Sequence, residues 1–229
     1  MIYIGLDDTD NQTSRGTGRL ARAIAATLAK QYAVYGVTRH QFLVDPRVPY
    51  TSHNSSATIH LLTNGNVDLS ALADEVQAMM LADFQPGSDP GLCIAQTVTT
   101  EMARFGRRAQ VEVVNQAEAR DLASRSDCIL RGLGGTQDGV IGALAGVGLA
   151  ATGEDGRFIL IGNARELDGL QPVQAILSSG ISEVRTMDGQ TLQDGLIDTG
   201  GRLRPAFRKG RPILFVTPQD AHWVPVKLD

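Results

Sequence analysis

Ile2-Tyr3-Ile4-Gly5-Leu6-Asp7-Asp8-Thr9-Asp10 opens the chain, and Arg15-Gly16-Thr17-Gly18 follows within one short loop. The apolar run Ile2 to Leu6 stops on acid, which reads as a buried first strand with carboxylates at its end. Thr17 to Ala29 has helical spacing: Leu20, Ile24, Ala25 and Leu28 fall on one face, Arg19 and Arg22 on another. Working outward, Val34 to Thr38, Phe42 to Val44 and Ala57 to Leu62 read as strand pieces, with Pro46 and Pro49 forcing an extended loop. Asp68 is placed to cap a helix over Leu69 to Leu81. Leu92 to Val98 and Gln110 to Val114 read as strands, Thr100 to Phe105 as a helix, and Asn115 as the cap of a helix over Gln116 to Ser124. A brief strand at Cys128 to Leu130 leads into a glycine-rich loop, Gly132 to Gly139. A small-residue helix over Val140 to Ala151 and a strand at Phe158 to Ile161 come next. From about Leu167 short strands and turns take over, ending in a strand at Pro212 to Thr217. Strands alternating with helices imply an α+β or mixed α/β fold.

The chain has 229 residues, 42% hydrophobic and 20% charged, with a formal charge of −4. Those proportions belong to a globular chain of one large domain or two small ones, not to a disordered one. Cys93 and Cys128 have no paired spacing, which excludes an intact zinc ribbon or iron–sulfur motif and argues against a disulfide framework. With no basic segment or cleavage signal at the N-terminus, a cytoplasmic location is expected. No membrane association is expected either, since the run Val140 to Ala151 is far short of the ~20 residues a span needs. The slight acidity argues against holding nucleic acid by global charge, while leaving room for a local basic patch.

Asp7, Asp8 and Asp10 repel one another, and in a partly buried site a hard divalent cation is the natural neutraliser. Oxygen-only ligands at a strand end suit Mg²⁺ bridging to a phosphate; one carboxylate acting as general base is an alternative. The plain alternative is an acidic turn whose carboxylates cap nearby amides. Just beyond, the helix start at Thr17 favours anions, Gly16 and Gly18 let backbone approach a phosphate, and Arg15 adds a cationic fork.

The second glycine loop, Gly132-Leu133-Gly134-Gly135-Thr136-Gln137-Asp138-Gly139, lacks the Lys-Ser or Lys-Thr of a Walker loop and the third glycine of a dinucleotide fingerprint. Gly134, Gly135 and Thr136 are candidates for wrapping a phosphate or base, and Gly142, Gly146 and Gly148 for close helix packing. The three lysines, Lys30, Lys209 and Lys227, sit beside no glycine loop, which excludes a P-loop or protein-kinase arrangement. A haloacid-dehalogenase-type phosphatase lacks its lysine and second acidic pair here. His40, His53, His60 and His222 have no metal-ligand spacing, and no G-x-S-x-G elbow appears. His60 reads as structural; His53, in the polar loop Tyr50 to Ser56, and Arg47 are acceptor-side candidates.

The segments Ile4-Gly5-Leu6-Asp7-Asp8-Thr9-Asp10 with Arg15-Gly16-Thr17, then Leu43 to Tyr50, then Gly139 to Gly148, resemble in order the archaeal tRNA(Ile2) 2-agmatinylcytidine synthetase family. The resemblance covers about residues 1 to 160. It implies an ATP-dependent activation of a tRNA cytidine, with metal-binding carboxylates on Asp7, Asp8 and Asp10. The family's autophosphorylated threonine is the second of a Thr-Thr pair. An ungapped count puts Thr17 on the first and Gly18 on the second, so Thr17 is the catalytic candidate. The family's OB-fold and zinc ribbon have no counterpart in this sequence, which leads to the expectation of a stand-alone relative of the catalytic half.

The resemblance further implies a kinase-like ATP/Mg-binding domain, placed over residues 1–60 and 127–165, and a ferredoxin-like domain, placed over 61–126, with a β-rich segment over 166–229. The expected activity is an Mg²⁺- and ATP-dependent kinase-like transferase or ligase acting on a small-molecule or RNA acceptor. Two alternatives stand: tRNA cytidine modification with RNA-binding parts supplied in trans, and a non-catalytic nucleotide-binding regulator.

Overall fold

The computed structural model describes all of the chain except residues 12, 49, 51, 52, 64 and 229. Contacts divide it into two units, Met1–Thr152 and Gly153–Asp229. The boundaries expected near residues 60, 127 and 165 differ from this division.

In the first unit, β1 (Ile2–Asp7), α1 (Thr17–Leu28), β2 (Ala33–Gln41), β3 (Ser55–Leu62), α2 (Leu69–Ala82) and β4 (Gly91–Ala95) form a βαββαβ array. The strands run β4-β1-β3-β2, all antiparallel, which is the ferredoxin-like arrangement. It occupies residues 2–95 rather than 61–126, because the first strand lies at the centre of the sheet and pairs with β3 and β4. Then follow α3 (Thr100–Val111), α4 (Gln116–Ser124), β5 (Cys128–Gly132), which extends the sheet beside β4, and α5 (Gly139–Thr152).

Local chemistry accounts for these elements. Asp68 accepts from the backbone N–H of Ser70 and Ala71, Thr99 from Met102, and Asn115 from Glu118, so three helices start on side-chain caps. Gln110 to Val114 departs from expectation. Its β-branched residues read as a strand, but α3 runs on to Val111, where the Glu112 N–H bonds the Arg108 carbonyl. Arg108 also pairs with Glu118 at 2.8 Å, tying the end of α3 to α4. Phe42 to Val44 likewise leaves the sheet, and β2 is one strand with a bulge between Val34 and Gly36.

The two sheet faces differ in kind. Ile2, Ile4 and Leu6 point to one face, where α1 offers Leu20, Ile24 and Leu28, and α2 offers Leu72, Val76 and Met80. Tyr3, Gly5 and Asp7 point to the other, which α5 covers. Here small residues decide the packing. A Cβ on Gly5 would lie 2.2 Å from the Ala143 carbonyl oxygen, and one on Gly148 would lie 2.1 Å from the Met102 oxygen. Backbone meets backbone, so neither clash can be relieved by a side-chain rotation. Gly5→Ala is therefore expected to destabilise the unit by about 2 kcal/mol or more, read as a lower urea midpoint. An unchanged midpoint would show that α5 is free to shift.

The α5 face also buries polar groups. The Thr38 hydroxyl lies 2.8 Å from Nε2 of both His40 and His60. Burial, and then the neighbouring His40, push the His60 pKa down to about 3, so this histidine is a neutral structural one.

The second unit is mostly β: β6 (Arg157–Ile161), β7 (Leu170–Pro172), α6 (Val173–Ser178), β8 (Glu183–Thr186), β9 (Leu196–Asp198), β10 (Ala206–Arg208), β11 (Arg211–Gln219) and β12 (His222–Pro225). The strands run β6-β10-β11-β12-β9-β7, with β8 parallel to β11. Among the described residues no helix is long and apolar enough to cross a membrane.

Candidate active site

β1 ends at Asp7, and Asp8 takes a left-handed turn, φ 49°, that carries the chain out of the sheet. Asp7 pairs in register with Gly91 at the start of β4, so the loop before β4 returns beside the acidic turn and brings Asp89 with it. Asp138 arrives from the loop that precedes α5. Five carboxylates, Asp7, Asp8, Asp10, Asp89 and Asp138, line one cavity of about 250 Å³. Its remaining wall includes Val48, Tyr50, His53, Val113 and Ile141.

The electrostatics follow from this crowding. Burial, then the charge of Asp8 and more weakly that of Asp10, push the Asp7 carboxyl up to about 8. Burial and the charges of Asp89, Asp10 and Asp138 push Asp8 up to about 6, partly offset by the Asp89 backbone N–H. Room for Asp7 is made by Gly142: a Cβ there would lie 1.9 Å from Asp7 Oδ2. One helix glycine thus holds space for a carboxylate, while Gly146 and Gly148 serve packing.

The sequence-derived candidates separate into groups. Asp7, Asp8, Asp10, Thr17, Arg47 and His53 all line the acidic cavity. The Thr17 hydroxyl is buried, donates to Asp10 Oδ1 at 3.1 Å and accepts from the Thr9 hydroxyl at 3.1 Å, which fixes the Asp10 carboxylate. Arg47 clasps Asp45 with two bonds of 2.8 Å, and its hydrogen bonds hold that carboxyl down at about 2. Arg15 and Gly16 line a separate cavity of about 510 Å³, with Arg19, Thr13 and Ser14. Asp10 borders both cavities. Gly18 lies in the first turn of α1, where its carbonyl accepts from Arg22. Among the described residues Arg15 and Arg19 have no ion-pair partner.

The second glycine loop is held by an acid. Asp89 accepts from the Thr136 N–H and hydroxyl, each at 2.7 Å, and a Cβ on Gly135 would lie 1.6 Å from Asp89 Oδ1. Gly134 packs on Phe84 instead. The polar donors of Thr136 are therefore committed to a carboxylate within the protein. Asp89 and Asp138 were not singled out from sequence. The available signal was strand pairing: the residue two before β4 must return beside the last residue of β1.

Among the described residues no three His, Cys, Asp or Glu side chains converge as a ready metal cage. Mg²⁺ commonly takes one or two carboxylates, with water and phosphate oxygens completing six positions, so a cage is not required. Crowded carboxylates at a strand end fit a hard cation, and Asp8 and Asp10 are the residues that would hold it, with Asp7 behind them.

No family model and no curated protein matches the chain. Solved structures do. The TiaS–tRNA(Ile2)–ATP complex aligns with a TM-score of 0.56 at 24% identity, over 64% of this chain and 36% of that one. A tRNA fluorescent labelling enzyme aligns with a TM-score of 0.56 at 24% identity, over 64% of this chain and 35% of the other. Apo TiaS, tRNA(Ile2) agmatidine synthetase, gives 0.53 at 22% identity, over 64% and 35%. The chain thus shares its fold with part of a class of tRNA-modifying enzymes. The matches to TiaS span about a third of that protein's length.

Proposed function

We propose that the chain is an ATP-using enzyme whose catalytic apparatus is the acidic turn Asp7-Asp8-Thr9-Asp10, with kinase-like transfer or ligation as its chemistry. The observation that carries this is the gathering of five carboxylates, two with pKa values raised to about 8 and about 6, around one cavity. Such a set is costly to fold and suits a cation, alone or bridging to a phosphate. The fold shared with TiaS, whose structures include complexes with tRNA(Ile2) and ATP, supports the same reading.

In this reading the phosphates lie against Asp8 and Asp10, with Arg15 and the Gly16 backbone across Asp10 supplying positive charge. Val48, Tyr50 and Val113 offer an apolar wall for the base. When bound, Mg²⁺ supplies charge neutralisation and alignment of the phosphates. Thr17 holds Asp10 in place through its hydroxyl, and Asp89 anchors the loop that frames the site. His53 stands on the cavity wall as an acceptor-side contact, and Arg47 is oriented by Asp45. The acceptor class that fits best is RNA, with a small molecule as the other candidate.

Incubation with ATP and Mg²⁺, with and without tRNA, followed by separation of ADP, AMP, phosphate and pyrophosphate, tests the reading and identifies the bond cleaved. Release of any of these above the no-enzyme rate is expected. Absence of both turnover and ATP binding defeats the proposal; tight ATP binding without turnover favours a nucleotide-binding regulator.

A further inference from the structure

The second unit carries a cavity of about 460 Å³ formed entirely from its own residues, among them Gly200, Gly201, Arg202, Arg204 and Lys227. Burial alternates along the preceding chain: Leu203 and Pro205 are buried, whereas Arg202 is exposed and Arg204 half-buried. The buried pair anchors the segment, and both arginines reach the cavity. Gly200 and Gly201 have φ of 57° and 83°, and a Cβ on either would meet nothing within 4 Å, so the backbone there stands open. The lining acid, Asp198, accepts the Gly200 N–H. Among the described residues neither Arg202 nor Lys227 has an ion-pair partner. Burial, and then the charge of Arg202, lower the Arg165 pKa, so the positive charge extends beyond the cavity rim.

We infer that this cavity grips phosphate groups of an RNA strand, through the guanidinium groups of Arg202 and Arg204 and the ammonium of Lys227. Paired guanidinium forks and a point-like ammonium are the side chains that phosphate oxygens select, and an open glycine backbone lets a strand approach closely. A chain with a net charge of −4 has little general attraction for RNA, so a local cationic pocket has to supply it. The inference rests on the proposed function only for its choice of RNA, and its test is separable from ATP chemistry.

Binding of fluorescently labelled bulk tRNA is measured from 50 to 200 mM salt for the full chain, the Arg202→Gln/Lys227→Gln double variant and Arg202→Lys. The wild type is expected to bind with a steep salt slope. The double variant should bind at least about tenfold more weakly at low salt, with a log–log slope reduced by nearly two, while Arg202→Lys keeps most of the slope. ATP binding without RNA should be unchanged in all three. Equal affinity and slope in wild type and double variant overturn the inference. So does wild-type ATP binding without any tRNA binding, which leaves the ATP reading standing. A third arm titrates inorganic phosphate against labelled tRNA at constant ionic strength. Competition only in proportion to ionic strength supports a strand ligand, whereas displacement at micromolar phosphate points to a free phosphate site and overturns it.

Discussion

Asp7→Asn is expected to make the chain more stable at pH 8 while abolishing its chemistry. The Asp7 carboxyl has a folded-state pKa near 8 against an unfolded value of 3.8, so the folded chain keeps a proton that the unfolded chain has lost. Stability from this group is fully present below pH 3.8 and disappears as pH rises towards 8. Asp8 acts in the same direction, but only up to about 6. His60, with a folded value near 3, acts oppositely, adding stability as pH rises to its unfolded value of 6.5. Among the shifted carboxyls and histidines, Asp7 alone titrates between pH 6.5 and 8. At ~1.4 kcal/mol per unit, the wild type should lose roughly 2 kcal/mol of unfolding free energy across that window. The Asn variant should stay flat and exceed the wild type by roughly 5 kcal/mol at pH 8. Urea unfolding at the two pH values reads both quantities. Parallel losses in wild type and variant would place the Asp7 carboxylate in bulk solvent and remove its role behind the cluster. Added Mg²⁺ should narrow the gap at pH 8, because a cation bound to the ionised site stabilises only the chain that has it.

The same residues explain what could be read from sequence. The first strand, its acidic end, the helix over Thr17–Leu28 and the caps Asp68 and Asn115 were all legible, because each depends on neighbours in the chain. The order of the strands was not. Nothing local to Ile2–Asp7 says that it will lie between β3 and β4, and with that order went the ferredoxin-like boundaries and Asp89. Gln110 to Val114 misled for a related reason: strand propensity there competes with a helix whose end is fixed by contacts of Arg108 with a later helix. The glycine loop was legible as a loop but not in its role. Thr136 offers the donors a phosphate would seek, and only the fold reveals that Asp89 takes them.

Asp8→Asn should lower the ATP turnover proposed above by a hundredfold or more, about 3 kcal/mol of transition-state stabilisation. The size follows from position. The Asp8 carboxylate feels Asp10, Asp89 and Asp138 together, so it is where the repulsion of the cluster concentrates and where a cation gains most. Asn preserves shape and the neighbouring backbone bond but supplies no charge. Asp138→Asn is the comparison: this residue is exposed at the rim, its carboxylate already accepts from Gln116 at 2.9 Å, and about a tenfold loss at most is expected. Asp89→Asn should fall between them, since it also weakens the clasp on Thr136. The ranking Asp8, Asp89, Asp138 is the informative result, because nonspecific loss of negative charge would lower all three alike. Turnover in Asp8→Asn equal to wild type, at saturating ATP and Mg²⁺, would remove the acidic turn from the chemistry. The second, larger cavity around Arg15 and Arg19 would then be the place to look for the reaction.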